Sequence, residues 1–291
     1  MSAPHTLKSL YHYITNQLKE ADLDTPDLDA RFIITERTDY DWSDIITRPD
    51  APVSDIDHAN IISDLEQRLL GKPLSRIYGE REFWGLPFKL SDSTLDPRPD
   101  TELIIEIALK RFQKNKPLRI LDLGTGSGCI LIALLSEFPN ATGVGVDLSF
   151  GAVKTASENA VQNRCMERAD FVCASWGDAL SAHTSADSFD LIVSNPPYIT
   201  SQVIPTLAQE VQNHDPILSL DGGDDGLQAY KKIFSQIKSL IHDDGLALFE
   251  IGYDQDKDVT RLAEDTGFAL RTVHVDISGN PRVVEISCGD K

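Results

Sequence analysis

The chain predicts a doubly wound α/β fold: a mostly parallel sheet with an antiparallel edge, preceded by a small helical domain. Three observations carry this expectation. From Leu118 onward, apolar runs of strand length alternate with helix-length amphipathic ones. The first of these strands, Arg119 to Leu123, runs straight into the glycine-rich turn Gly124-Thr125-Gly126-Ser127-Gly128. Before residue 76, by contrast, apolar side chains recur at helical spacing.

Composition narrows the classes. A chain of 291 residues holds one large α/β domain and a small one, and 41% hydrophobic residues suffice for a normal core. The net charge of −19 argues against non-specific affinity for nucleic acid or an anionic membrane, without excluding a local basic face. Residues 1–10 lack the charged-then-apolar plan of a secretory leader, and no apolar run reaches membrane-spanning length. Cys129, Cys165, Cys173 and Cys288 show no CxxC spacing and no histidine at zinc spacing. They read as buried, reduced thiols of a cytoplasmic protein. The seven histidines form no metal pattern, and no metal site is expected.

Taken in order, residues 1–75 form the helical domain. Leu7, Leu10, Tyr11, Ile14 and Leu18 share one helical face; Leu28, Phe32 and Ile33 mark a second helix, and Ile61, Ile62, Leu65, Leu69 and Leu70 a last one. Pro26 suits a helix start, Ser54 an N-cap, and Gly71 with Pro73 a stop. Acidic residues outnumber basic ones here, so the plain reading is an acidic bundle, and docking of a substrate partner is the role open to it. Residues 76–100 are a linker, in which aromatics around Gly85-Leu86-Pro87 suggest a β-hairpin. The α/β domain is placed at 101–291. Pro97-Arg98-Pro99-Asp100-Thr101-Glu102 leads into an apolar helix over 103–112, with Asp100 or Thr101 as N-cap; taken alone, this is a capped linker helix. Strands follow at 119–123, 142–147, 170–176, 190–194 and 246–251, with helices at 129–135, 149–162 and 227–241. The last two strands, 268–275 and 282–287, meet across Ser278-Gly279-Asn280-Pro281, which suits an antiparallel pair.

The chemistry concentrates at strand ends. A strand, a glycine-rich turn, a helix and then an acid ending the next strand describe nucleoside binding in general. Glycines admit a close ligand, and Asp147 can accept both ribose hydroxyls. The GxGxG spacing differs from the usual dinucleotide fingerprint, and the absence of GxxxxGK[ST] disfavours phosphate-cradling NTPase chemistry. Trp176 suits either an adenine face or a structural site. Asp221-Gly222-Gly223-Asp224-Asp225-Gly226 fails the EF-hand template and reads as a turn before a helix. Asn195-Pro196-Pro197-Tyr198 closes a buried strand. Its prolines fix an extended backbone, so the Pro196 carbonyl can leave the ladder beside an amide and an aromatic ring. Such a site takes two hydrogens from a planar NH₂ group; the plainer reading is an Asn-Pro-Pro turn.

The set PRPDTE (97–102), DLGTGSG (122–128), VGVDLS (144–149), NPPY (195–198) and GGDDGLQAY (222–230) resembles the release-factor glutamine N5-methyltransferase family, PrmC/HemK, over essentially the whole chain. NPPY alone is shared with adenine-N6 methyltransferases. The resemblance implies a seven-stranded, Rossmann-like methyltransferase sheet. It implies S-adenosyl-L-methionine bound by Gly124, Thr125, Gly126, Ser127, Gly128, Asp147, Trp176 and Asn195. It also implies a glutamine, from the Gly-Gly-Gln loop of a peptide-chain release factor, bound by Asn195, Pro196, Pro197 and Tyr198. Asn195, Pro196 and Tyr198 would then align the transfer. In one departure, Ser175 precedes Trp176 where many relatives carry Asp, which leaves open whether a carboxylate meets the adenine amino group. The alternatives are adenine-N6 methylation of nucleic acid, which needs a basic recognition face that the acidic helical region does not suggest, and a catalytically silent binding module, against which the intact NPPY speaks.

Overall fold

The structure is a computed structural model, described here over residues 6–181 and 188–288. It divides into two compact units, with the boundary between Tyr78 and Gly79. The first holds five helices: α1 (Leu7–Glu20), α2 (Pro26–Thr35), α3 (Asp44–Thr47), α4 (Asp55–Leu69) and α5 (Leu74–Tyr78). Thr6 and Ser9 close a reciprocal capping box on α1, Pro26 opens α2, and Ser54 accepts the Asp57 amide to cap α4. Leu7, Leu10, Ile14 and Leu18 are fully buried against Ile33, Ile34, Ile61 and Leu65. Burial of each such side chain stabilises by about 1.5–3 kcal/mol. In α2 the inward stripe is Ala30, Ile33 and Ile34, whereas Leu28 and Phe32 face outward, as do Leu69 and Leu70 at the end of α4. Phe32 instead meets Trp42 edge-on, with ring centroids 5.6 Å apart.

In the second unit, β1 (Glu80–Phe83) and β2 (Leu86–Lys89) form the hairpin. Its turn is Trp84-Gly85, both at positive φ, and Leu86 and Pro87 pair with Phe83 and Glu82 rather than turning the chain. Two left-handed residues match the twist of the flanking strands, which a Gly-x-Pro corner does not. A short 3₁₀ turn, Pro99–Thr101, leads into α6 (Glu102–Arg111). Then come β3 (Arg119–Leu123), α7 (Cys129–Glu137), β4 (Thr142–Asp147), α8 (Phe150–Gln162), β5 (Ala169–Cys173), β6 (Phe189–Ser194), α9 (Gln209–His214), α10 (Gln228–Ile237), β7 (Ile241–Glu250), α11 (Asp256–Asp265), β8 (Phe268–Val275) and β9 (Pro281–Cys288).

These strands build one seven-stranded sheet in the order β5-β4-β3-β6-β7-β9-β8, with β9 antiparallel to both its neighbours. The Rossmann-like sheet is covered on both faces, and successive residues of β3 alternate between two cores. Ile120 packs with α6, α7 and the hairpin; Leu121 and Leu123 pack with α10 and α11. The bounds of β5, α10 and β7 differ most from the sequence reading. β5 stops at Cys173, short of Trp176. Helix α10 stops at Ile237, because Ile241 pairs with Phe189 as the start of β7. Helix α11, whose Val259 and Ala263 are buried, was not anticipated. The four thiols are free, but only Cys129 and Cys165 are buried; Cys173 is exposed. No helix among the described residues is long and apolar enough to cross a membrane.

Candidate active site

The chain winds outward from β3 through β4 to β5, then returns to place β6 on the other side of β3. That reversal makes the carboxyl ends of β3 and β6 a switch point, where open α/β sheets bind ligands. Leu123 and Ser194 are register neighbours, and the Ser194 hydroxyl donates to the Leu123 carbonyl at 2.6 Å. The glycine loop and Asn195 therefore leave the sheet side by side. A cavity of 490 Å³ lies over them, within the range of small-molecule sites.

Gly124, Thr125, Gly126, Ser127, Asp147, Trp176, Asn195 and Pro197 all line this cavity. The amides of Gly124 and Thr125 both donate to the Val146 carbonyl, which pins the loop to β4. Gly124 and Gly126 sit at φ +74° and +55°. A β-carbon on Gly124 would stand 3.3 Å from the Trp176 ring, so glycine is what lets indole and loop approach. Asp147 accepts from the amides of Gly126 (2.9 Å) and Ser149 (2.8 Å); burial nevertheless raises its pKa. Beneath the loop, Asp122 is fully buried. Its Oδ2 accepts from Thr125 Oγ1 at 2.7 Å, and burial pushes its pKa up to about 7.

Three expected residues stand off the cavity wall. Gly128 serves packing: a β-carbon there would meet Ile132 at 3.0 Å and Ala156 at 3.1 Å, where α7 lies against α8. Pro196 is buried between two wall residues, Asn195 and Pro197. Tyr198 turns its hydroxyl to Glu250 Oε1 at 3.4 Å. At the other end, Ser175 and Lys232 share the wall with Trp176, and Lys232 Nζ donates to the Ser175 hydroxyl at 2.6 Å.

Two polar residues were missed. Thr101, read as a cap, makes no side-chain cap bond. Its hydroxyl donates to Glu250 Oε2 at 2.7 Å and accepts from Asn195 Nδ2 at 3.2 Å. Glu250 ends β7 almost wholly buried, and burial pushes its pKa up to about 7. The available signal was a carboxylate between Phe249 and Ile251 at the close of an apolar strand. Among the described residues, no group of three or more His, Cys, Asp or Glu side chains is placed to hold a metal ion.

A loop turned by glycines at positive φ, an acid at the next strand end and an indole over the loop fit the nucleoside of S-adenosylmethionine. The Methyltransferase small domain family matches residues 97–219. The hMettl16 catalytic domain, solved in complex with the MAT2A 3′UTR hairpin 6, shares the fold at TM-score 0.57 and 16% identity over 78% of this chain and 83% of that one. A methyltransferase from Pyrococcus furiosus does so at TM-score 0.50 and 16% identity, over 78% and 100%. The protein is an S-adenosylmethionine-dependent methyltransferase of the Rossmann-like class. The PrmC N-terminal domain family matches residues 9–79. The chain is 41% identical to the release factor glutamine methyltransferase of Bradyrhizobium diazoefficiens, over 96% of this chain and 94% of that one. It is 41% identical to that of Agrobacterium fabrum over 92% of each, and 40% to that of Caulobacter vibrioides over 96% and 95%. The chain belongs to the release factor glutamine methyltransferase family.

Proposed function

We propose that the chain methylates the side-chain amide nitrogen, N5, of the glutamine in the Gly-Gly-Gln loop of peptide-chain release factors, in the cytoplasm and without binding nucleic acid directly. One observation carries the reading: the Asn195 amide and Pro197 open onto the same cavity as Gly124, Asp147 and Trp176. Gly124, Thr125, Gly126, Ser127, Asp147 and Trp176 would hold S-adenosylmethionine, which supplies a methyl group on a positively charged sulfur.

A carboxamide nitrogen is a poor nucleophile, because its lone pair is delocalised into the carbonyl. The chain must therefore supply alignment. Asn195 Oδ1 would accept one amide N–H at the cavity wall. The Pro196 carbonyl, which stands off that wall between Asn195 and Pro197, would have to accept the other for the nitrogen lone pair to be aimed along the transfer axis. As positive charge grows on that nitrogen, both oxygens stabilise it more than they stabilise the ground state. The methylated nitrogen is acidic once charged, so no strong general base is needed. Tyr198, its hydroxyl on Glu250, holds the segment rather than the wall.

The test supplies labelled S-adenosylmethionine with full-length release factor, its Gln→Ala loop variant, and single- and double-stranded DNA. Label is expected in the intact release factor alone; label in DNA, or equal label in the loop variant, refutes the glutamine assignment. At saturating S-adenosylmethionine, Asn195→Ala should lose transfer by roughly 100-fold, the scale of a misplaced reactant. Near-normal turnover in that variant would remove Asn195 from the alignment.

A further inference from the structure

We propose that Thr101 and Glu250 are positioning residues for the transfer, setting which end of the Asn195 amide faces the substrate by dictating where the Thr101 hydroxyl proton goes. The inference rests on the reading of Asn195 Oδ1 as an acceptor. A hydroxyl has one proton, and that of Thr101 lies on Glu250 Oε2 at 2.7 Å, between two side chains that are each 2% exposed. An ionised carboxylate only accepts, so it claims the proton and leaves Thr101 only lone pairs to offer Asn195. The amide must then present its nitrogen to Thr101, as it does at 3.2 Å, with Oδ1 on the opposite side. A flipped amide would set Oδ1 against the Thr101 oxygen with no hydrogen between them, and this part-buried contact then forfeits its bond.

Glu250 is held from several sides. Tyr198 donates to its Oε1 at 3.4 Å, and the Tyr230 hydroxyl donates to its main-chain carbonyl at 2.7 Å. One residue thus braces both Asn195, through Thr101, and Tyr198. The charged groups acting on it are Arg282 and Asp100; Arg282 Nη2 stands 3.2 Å from both Asp100 and Asp276. Burial raises the Tyr198 and Tyr230 hydroxyls, so both stay neutral donors.

Protonation of Glu250 would break the device, because the carboxyl group then carries a proton of its own to give to Thr101. Thr101 is freed to donate to Asn195, and either amide orientation is satisfied. Transfer should therefore decline as pH falls through the titration of Glu250, near 7.

The experiment compares wild type with Thr101→Val, Thr101→Ser and Glu250→Gln on release factor at saturating S-adenosylmethionine. It also follows the Asn195 side-chain NH₂ resonance by nitrogen-15 NMR. Thr101→Val should lower kcat by about tenfold or more while KM for release factor and calorimetric S-adenosylmethionine affinity stay within about twofold; Thr101→Ser should recover most of the loss. The fall in kcat below about pH 7 should vanish in Thr101→Val and in Glu250→Gln, the latter serving if the valine variant does not fold. The Asn195 resonance should shift with pH across the same range in wild type and stay fixed in both variants. Wild-type kcat in Thr101→Val, a retained low-pH decline, or a pH-independent Asn195 resonance in wild type overturns the proposal. A wild-type protein that leaves the release factor unlabelled sinks the glutamine reading instead, while the resonance still reports the amide orientation.

Discussion

Asp122 sits fully buried under the glycine loop, with one oxygen on Thr125. Burying a carboxylate favours its neutral form, and the Asp147 charge adds to the effect. Its folded pKa of about 7 thus lies above the ordinary carboxylate value, and the folded state binds the extra proton between about pH 4 and 7. By linkage, stability contributed at this position is lost as pH rises through that window and is lowest above it. The melting temperature of wild type relative to Asp122→Asn should accordingly fall as pH climbs from about 4 to about 7, then level off. A difference in melting temperature that does not change with pH would show that folding binds no extra proton at Asp122. Comparing the two proteins removes the opposite slopes of carboxylates such as Asp276, which hydrogen bonds hold below the usual range.

At the scale of elements, one side chain of α8 ties three pieces of chain together. Asn159 is fully buried, and its Oδ1 accepts from the Lys89 amide at 2.8 Å. Its Nδ2 donates to the carbonyls of Lys89 at 3.1 Å and Ser127 at 2.8 Å. The hairpin, the glycine loop and α8 are joined at that amide, which satisfies the buried Ser127 carbonyl and both main-chain groups of Lys89. Asn159→Ala leaves the buried Ser127 carbonyl without its partner and should cost about 1–3 kcal/mol, the scale for one buried group left unpaired. Denaturant unfolding checks this through the midpoint at unchanged slope. A loss under about 0.5 kcal/mol, the level of an ordinary surface substitution, would mean that hairpin and loop hold their places without it.

At the scale of the whole molecule, the net charge of −19 shapes which substrates approach. On the proposed function, the substrate loop would work against ribosomal RNA and so carry basic surface. An acidic enzyme would attract such a partner and repel free nucleic acid. Raising salt from about 0.1 to about 1 M shortens the screening length from about 10 to about 3 Å. KM for intact release factor should therefore rise with salt, while KM for a short uncharged peptide bearing the Gly-Gly-Gln loop should change far less. Equal salt dependence for the two substrates would place the effect in the active site rather than in long-range attraction.

Local physics made much of this legible in advance. Arg119 to Leu123 reads as a strand, and the glycines after it sit where the backbone must turn left-handed; Gly124 and Gly126 do so on the cavity wall. Asp147 at a strand end and Asn195 ahead of two prolines are equally local signals, because each depends on neighbours within a few residues. The sequence by itself therefore determined the fold class, the seven strands and the methyltransferase resemblance. What it left undecided depends on strand order. Thr101 and Glu250 are 149 residues apart, and no periodicity links a helix start to the end of β7. Only the β3-β6-β7 arrangement brings Glu250 beside the segment after β6, turning an apparent cap into a proton donor. The same arrangement left Tyr198 off the cavity wall with its hydroxyl on Glu250, and packing of α7 against α8 left Gly128 off it. A side chain's partner is chosen by which strands lie next to each other, and that is a property of the folded sheet rather than of any window along the chain.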